Sequence, residues 1–369
     1  MNRLIFGLAL LTVISSQTYA QTSEKQVPSL RWYNLAELNV EGRGWDNRDD
    51  FYCRFPAKAE AKVNGGLWRL AGHSSGMVAR FVTDAPEIKV RWKVKRSNPL
   101  PVERIMAPTG VSGVDLYVRF NGKWRWLAIG IPTGMENEST LVSGLPREKR
   151  EYALYLPLYN GVTSVELGIM DDAELAKAPP RTRNIKPVVF YGSSIMQGAS
   201  ASRPGMAYPS LIGRWLDIPT INLGFAGAGK CEHEVAELLA ELDPQVYVID
   251  CLPNMEPSYV DERIRYLLKV LKEMHPNTPV ILVENVVQQN LFIRVKNPAK
   301  ADEKSAILKK VYEDVVSDWN GRLFYVENDD RLYGNDGEAS VDGVHATDVG
   351  FMRMANVINP VIEKALDIR

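Results

Sequence analysis

The period of the hydrophobic positions divides this chain in two. From about Arg31 to Met170, apolar and polar residues alternate in short runs: Leu67-Trp68-Arg69-Leu70, Ile88 to Val94, Val114 to Phe120, Tyr152 to Leu156 and Ser164 to Ile169. A period of two over four to eight residues is the pattern of a half-buried strand. Phe120-Asn121-Gly122-Lys123-Trp124 sets Asn-Gly between two such runs and predicts a two-residue hairpin. No amphipathic helix stands out in this half. Short strands with turns at regular intervals predict an antiparallel, jelly-roll-like β-sandwich.

Between about Ala173 and Lys186 the composition shifts, and Ala178-Pro179-Pro180-Arg181-Thr182-Arg183 reads as a linker. Beyond it, continuous apolar runs (Val188–Tyr191, Thr220–Leu223, Val246–Asp250, Val280–Glu284, Leu323–Val326) alternate with helical patterns. Val260, Ile264, Leu267, Leu268 and Leu271 form one such helix face; Leu308, Tyr312, Val315 and Trp319 form another. Buried strands separated by helices predict a parallel sheet covered on both faces, a three-layer α/β fold. The expected layout is a leader over 1–20, the sandwich over 21–172, the linker over 173–185 and the α/β domain over 186–369.

Composition narrows the function classes. With a formal net charge of −1 and no block of like charge, the chain lacks the basic footprint of a nucleic-acid binder and the polybasic patch of a membrane-surface protein. Three cysteines and four histidines show no zinc-site spacing. Met1-Asn2-Arg3, an apolar stretch from Leu4 to Ile14, and a small-residue end at Ala20 have the three-part layout of a secretory signal peptide. The apolar stretch is far short of the roughly 20 residues of a membrane span. No cysteine near the cleavage point offers a lipid acceptor, so export to a periplasm or beyond is expected. An oxidising compartment allows a Cys231–Cys251 disulfide, and free buried thiols are the other option. Six of the eight tryptophans (Trp32, Trp45, Trp68, Trp92, Trp124, Trp126) fall in the sandwich half, where packing is the main expectation and sugar stacking the minor one.

The candidate chemistry lies where strands end. Val188 to Gly198 runs from a buried strand into Gly192-Ser193-Ser194, which presents Ser194 as a nucleophile at the carboxyl edge of the sheet. His345 is the candidate base, and Asp342 the acid that holds its ring in one tautomer. The Ser194 N–H, the Gly227 N–H and the Asn254 side-chain amide are candidate oxyanion donors, glycine at 227 permitting close backbone approach. Each feature alone has a structural alternative: a turn, a helix cap, a hydrogen-bonded loop residue.

In combination, Tyr191-Gly192-Ser193-Ser194-Ile195-Met196-Gln197-Gly198, Asn222 to Gly227, Asn254 and Asp342-Gly343-Val344-His345 resemble the blocks of the SGNH (GDSL-type) hydrolases. The resemblance spans roughly Lys186 to the C-terminus. It implies a flavodoxin-like sheet and an esterase or acylhydrolase, with the nucleophile on Ser194, the oxyanion residues on Ser194, Gly227 and Asn254, and the acid–base pair on Asp342 and His345. No metal or organic cofactor is implied. Ser193 stands where the common motif has Asp. A sandwich ahead of such a domain also resembles exported bacterial carbohydrate esterases. This implies deacetylation of an acetylated carbohydrate, a small-molecule or oligosaccharide ester, with lipase- or thioesterase-type hydrolysis of longer acyl esters as the alternative. Gln288 to Pro298 is a candidate lid or an ordinary connection.

Two other readings compete. Gly224 to Cys231 is Gly, four residues, then Gly-Lys, close to a phosphate-cradling loop, although Cys231 replaces the hydroxyl residue that holds magnesium. A sugar-binding protein with an inert α/β domain is the third.

Overall fold

A computed structural model of the chain describes residues 28–46, 50–97, 101–181, 186–286, 288–290, 299–328 and 331–367. The leader-like segment 1–20 and residues 291–298 of the candidate lid lie outside them.

The first half carries ten strands: β1 (Leu30–Asn34), β2 (Asn39–Glu41), β3 (Val78–Thr83), β4 (Ile88–Val94), β5 (Val114–Phe120), β6 (Lys123–Gly130), β7 (Glu136–Val142), β8 (Arg150–Tyr155), β9 (Val162–Met170) and β10 (Leu175–Lys177). They form a sheet of order β1-β9-β4-β7 and a second of order β10-β3-β8-β5-β6, with β2 added on β3. Every pairing is antiparallel. The alternating residues of the sequence pattern meet between the sheets, as Phe81, Val90, Trp92, Leu116, Leu154 and Leu167. The Asn-Gly hairpin forms as expected: Phe120 faces Lys123, and Asn121 and Gly122 take φ values of 50° and 75°. That doubly left-handed turn matches the twist of the flanking strands.

One expectation fails here. Leu67-Trp68-Arg69-Leu70 is helical, within α1 (Gly65–Ala71). Asn64 caps it, its Oδ1 accepting from the Leu67 N–H at 2.9 Å, and Leu67, Leu70 and Ala71 turn inward. Four residues with apolar ends fit either a period of two or an i, i+3 pair, and the cap decides for the helix. A short α2 (Pro108–Ser112) follows later in this half.

The second half holds β11 (Val188–Gly192), β12 (Thr220–Gly224), β13 (Val246–Asp250), β14 (Val280–Val283) and β15 (Leu323–Val326). Its helices are α3 (Ser194–Gln197), α4 (Tyr208–Leu216), α5 (His233–Leu239), α6 (Pro257–Met274), α7 (Ala299–Val315) and α8 (Asp348–Ala365). The strands are all parallel, in the order β12-β11-β13-β14-β15. Successive residues of β11 feed opposite layers: Val189 and Tyr191 pack under α5 and α6, Val188 and Phe190 under α4 and α8. This two-faced burial explains the unbroken apolar runs. The strand order reverses at β11, and the carboxyl end of such a switch point is where open parallel sheets take ligands.

The two halves are joined through polar contacts as well as packing. Arg181 bonds Glu41 of the first half and Asp217 of the second, the latter at 2.8 Å. Trp45 and Trp124 donate their indole N–H groups to Glu241 and Asp217 across the same boundary. Trp92 is buried in the sandwich core and Trp126 is half exposed, donating to Asp115. All three cysteines are buried thiols and Cys231 and Cys251 are not bridged, which decides against the disulfide.

Candidate active site

Strand β11 delivers its last residue against β13 so tightly that a Cβ on Gly192 would overlap the Asp250 carbonyl. The chain then turns at Ser193, whose Oγ accepts from the Ile195 N–H at 3.3 Å and caps α3. Serine and aspartate are both strong N-caps, so Ser193 does at this position what an aspartate side chain does. Ser194 is the first residue of α3, and Gly198, at φ 107°, ends that helix after one turn.

The Ser194 Oγ lies 3.0 Å from His345 Nε2, and His345 Nδ1 lies 2.8 Å from Asp342 Oδ2. The other carboxylate oxygen, Asp342 Oδ1, accepts from the Val344 N–H at 2.9 Å and the His345 N–H at 2.8 Å. Burial raises the Asp342 pKa, but the N–H donors of His345 and Val344 outweigh it and hold the group below its ordinary value. An ionised Asp342 accepts only, so Nδ1 carries the imidazole proton and the Nε2 lone pair faces Ser194.

The loop bearing this pair is held from below. Gln289 donates its backbone N–H to Gly343 O at 3.0 Å, and its Oε1 accepts from Ala339 N–H at 3.0 Å and Ser340 Oγ at 3.1 Å. The Tyr333 hydroxyl donates to Val344 O at 2.7 Å. Neither residue was singled out from sequence for this role, because nothing in the spacing marks a side chain that serves another segment's backbone.

The loop after β12 is legible by asking where each amide N–H goes. Phe225 N–H donates to Gly192 O, Ala226 N–H to Gln197 Oε1, and both Ala228 and Gly229 N–H to Phe225 O. Lys230 N–H donates to Glu232 Oε2, and Cys231 N–H to the Tyr191 hydroxyl. Among the described residues only the Gly227 N–H of this loop has no partner, so the loop has no ring of free amides for a phosphate. The next helix starts at His233, not at Lys230. The phosphate-loop reading is thereby overturned.

Gly227 takes φ 68°, and a Cβ there would meet nothing within 4 Å. Its glycine is explained by the left-handed backbone, and not by crowding from neighbouring protein atoms. Asn254 reaches the same loop, its Nδ2 donating to Phe225 O and Gly229 O at 3.1 Å each. Both amide protons are thus engaged in shaping the loop.

All five residues singled out from sequence therefore converge on one sheet edge. The sequence pattern of the GDSL-like Lipase/Acylhydrolase family matches residues 185–363, and that of the N-terminus of SGNH-hydrolase-type esterases matches residues 30–175. A GDSL-like lipase from Bacteroides ovatus of known structure is 33% identical over 92% of this chain and 99% of its own, with a TM-score of 0.86. The chain belongs to the GDSL/SGNH hydrolase family. This SGNH hydrolase also shares its fold with a salicylyl-acyltransferase from a tetracycline biosynthetic pathway (19% identity, 92% of this chain and 99% of the other, TM-score 0.74). A family two carbohydrate esterase from Cellvibrio japonicus is a further fold relative (12% identity, 93% and 99% coverage, TM-score 0.60). None of the curated proteins matches it. The SGNH hydrolase is accordingly an enzyme of ester-bond hydrolysis. Among its described residues no group of three His, Cys, Asp or Glu is placed to hold a metal ion, and no helix is long and apolar enough to cross a membrane.

Proposed function

We propose that this hydrolase cleaves carboxylic esters through an acyl-enzyme on Ser194. The observation that supports this most directly is the unbroken chain Asp342–His345–Ser194, with contacts of 2.8 Å and 3.0 Å. Ser194 Oγ attacks the ester carbonyl carbon while His345 Nε2 takes its proton. The negative charge that develops on the carbonyl oxygen meets the Ser194 and Gly227 N–H groups, and Asn254 joins them by releasing one of its two loop carbonyls. The carbon–oxygen bond to the alcohol then breaks, His345 returning the proton to the departing oxygen. Water, deprotonated by the same ring, attacks the acyl carbon, the bond to Ser194 Oγ breaks as His345 returns the proton to that oxygen, and the acid leaves.

For substrate we propose an acetylated carbohydrate, met outside the cytoplasm after export through segment 1–20. The sandwich ahead of the hydrolase half, an arrangement shared with the family two carbohydrate esterase, supports this reading. A second reading, longer acyl esters, is favoured by the 33% identity to a GDSL-like lipase. A fluorophosphonate probe should label Ser194 stoichiometrically, and Ser194→Ala should remove both label and turnover with an unchanged Tm. Acetate release from acetylated xylan against hydrolysis of p-nitrophenyl esters of increasing chain length separates the substrates. Turnover that rises with chain length, with no acetate from the polysaccharide, would sink the carbohydrate reading.

A further inference from the structure

The oxyanion loop and the nucleophile helix are gripped by buried polar residues that come from the first half of the chain. Arg54 is 1% exposed and has no carboxylate partner among the described residues. Its guanidinium donates to four carbonyls instead. Nε reaches His73 O at 3.0 Å, Nη2 reaches Leu70 O at 2.7 Å, and Nη1 reaches Asn222 O at 3.1 Å and Gly224 O at 2.7 Å. The last two are the end of β12, directly ahead of the loop that carries Gly227. The cation also lies 4.4 Å from the centre of the Phe225 ring.

A second grip runs through Gln197, the last residue of α3. Its Oε1 accepts from the Ala226 N–H, one residue before Gly227, at 3.0 Å. Its Nε2 donates to Leu158 O and to His73 Nδ1, each at 3.0 Å. Both amide protons need acceptors, so His73 carries its own proton on Nε2 and presents a lone pair at Nδ1. Burial, then the Arg54 and Arg96 charges, hold the His73 pKa well below its ordinary value, which agrees with a neutral ring. A proton on Nδ1 would face the Nε2 hydrogens of Gln197 and favour the flipped amide, leaving the Ala226 N–H without its acceptor. Ser75 adds a third bond, its Oγ donating to Gln197 O at 2.7 Å.

A cation buried without a counter-charge is costly, and a structural need for packing alone is met more cheaply by an apolar side chain. Here the cation ends on the backbone just ahead of Gly227, and the imidazole acts on the Ala226 N–H through the Gln197 amide. We propose that Arg54 and His73 are positioning residues for the oxyanion loop, so that the sandwich half completes the catalytic apparatus of the hydrolase half. This rests on the serine reading given above.

The two nitrogens of His73 separate positioning from packing. His73→Asn places an acceptor where Nδ1 stands, and His73→Leu fills the space without one. Arg54→Lys keeps the charge and loses the fork. With p-nitrophenyl acetate, and with rates expressed per fluorophosphonate-titrated Ser194, His73→Leu and Arg54→Lys should each lower kcat by about 10- to 100-fold, at or below the roughly 100-fold cost of a misplaced group and the roughly 10²- to 10³-fold cost of a lost oxyanion donor. KM should change by less than about threefold, and affinity for a tetrahedral-adduct-forming trifluoromethyl ketone should fall in parallel with kcat. His73→Asn should recover most of the loss. If His73→Leu does not fold, Arg54→Lys and His73→Asn against the unaltered enzyme carry the same comparison. Unchanged kcat per titrated serine in the folded variants, with only Tm lowered, overturns the inference and leaves the serine reading intact. Absence of any adduct on Ser194 in the unaltered enzyme overturns both.

Discussion

At the scale of single residues, the decisive feature is how one carboxylate is shared. Asp342 gives one oxygen to the His345 ring and the other to two backbone N–H groups of its own turn. The turn fixes the carboxylate, and the carboxylate fixes the ring. Asp342→Asn keeps the shape but offers an amide that can donate toward Nδ1, so the opposite tautomer competes and the Nε2 lone pair is lost. A fall in kcat of about 10²- to 10⁴-fold is expected, with little change in KM, by analogy with the serine protease triad. Steady-state kinetics on a soluble ester checks it, and a loss below about threefold would mean that the turn backbone alone orients His345. Ser193 makes a related point. Its departure from the common motif is a substitution of one helix cap by another, and its hydroxyl sits on the Ile195 N–H rather than toward Ser194.

At the scale of elements, the site depends on the carboxyl ends of three neighbouring strands. Strand β11 supplies Ser194, β12 leads into Gly227, and β13 leads into Asn254. Asp250 closes β13, wholly buried, with its Oδ2 accepting from the Tyr208 hydroxyl at 3.0 Å. Burial pushes its pKa up to about 7. The folded protein therefore holds a proton that the unfolded chain releases near pH 4. In that window the native state binds more protons, so stability falls as pH rises from about 4 to about 7 and levels off above. Asp250→Asn removes the titration. Its Tm relative to the unaltered hydrolase should rise between pH 5 and pH 8, followed by scanning calorimetry in buffers of matched ionic strength. A pH-independent difference would show that Asp250 is ionised or screened in the fold.

At the scale of the whole molecule, the halves act as one body through a shared set of charges. Arg181, 9% exposed at its side chain, pairs with Glu41 and Asp217, while Arg80 also pairs with Glu41, and Arg119 with Asp217. The stretch 173–185 that reads as a linker is instead tied to the fold: Leu175–Lys177 pairs with β3 as β10, and Arg181 is a largely buried cation. Arg181→Ala leaves two carboxylates with one partner fewer each. Because other arginines remain, the cost should be about 1–3 kcal/mol, below that of a fully orphaned buried charge. Urea unfolding measures it, and the same variant should retain kcat, since Arg181 touches none of the groups around Ser194. A large loss of kcat with unchanged stability would contradict that division of labour.

Hydrophobic periodicity alone determined the two fold classes, because burial on one face or on both imposes a period that local sequence cannot hide. It placed β4, β5, β13 and β15 at their observed bounds, and the Asn-Gly turn followed from backbone sterics. The placement of the candidate residues at strand ends was equally legible, since Ser194, Gly227, Asn254, Asp342 and His345 each stand beside a recognisable punctuation of the chain. Short elements such as α1 were not, because a four-residue window fits two periods and the cap lies outside it. What the tertiary structure alone decided is who serves whom across long sequence distances. Arg54 reaches the carbonyls ahead of the loop at Gly227, His73 acts on that loop through Gln197, Gln289 holds the His345 turn, and among the described residues every amide N–H of Gly224 to Cys231 except that of Gly227 is taken by a protein acceptor. A hydrogen bond between residues tens to more than a hundred positions apart leaves no period in either segment, and only the folded chain brings its donor to its acceptor.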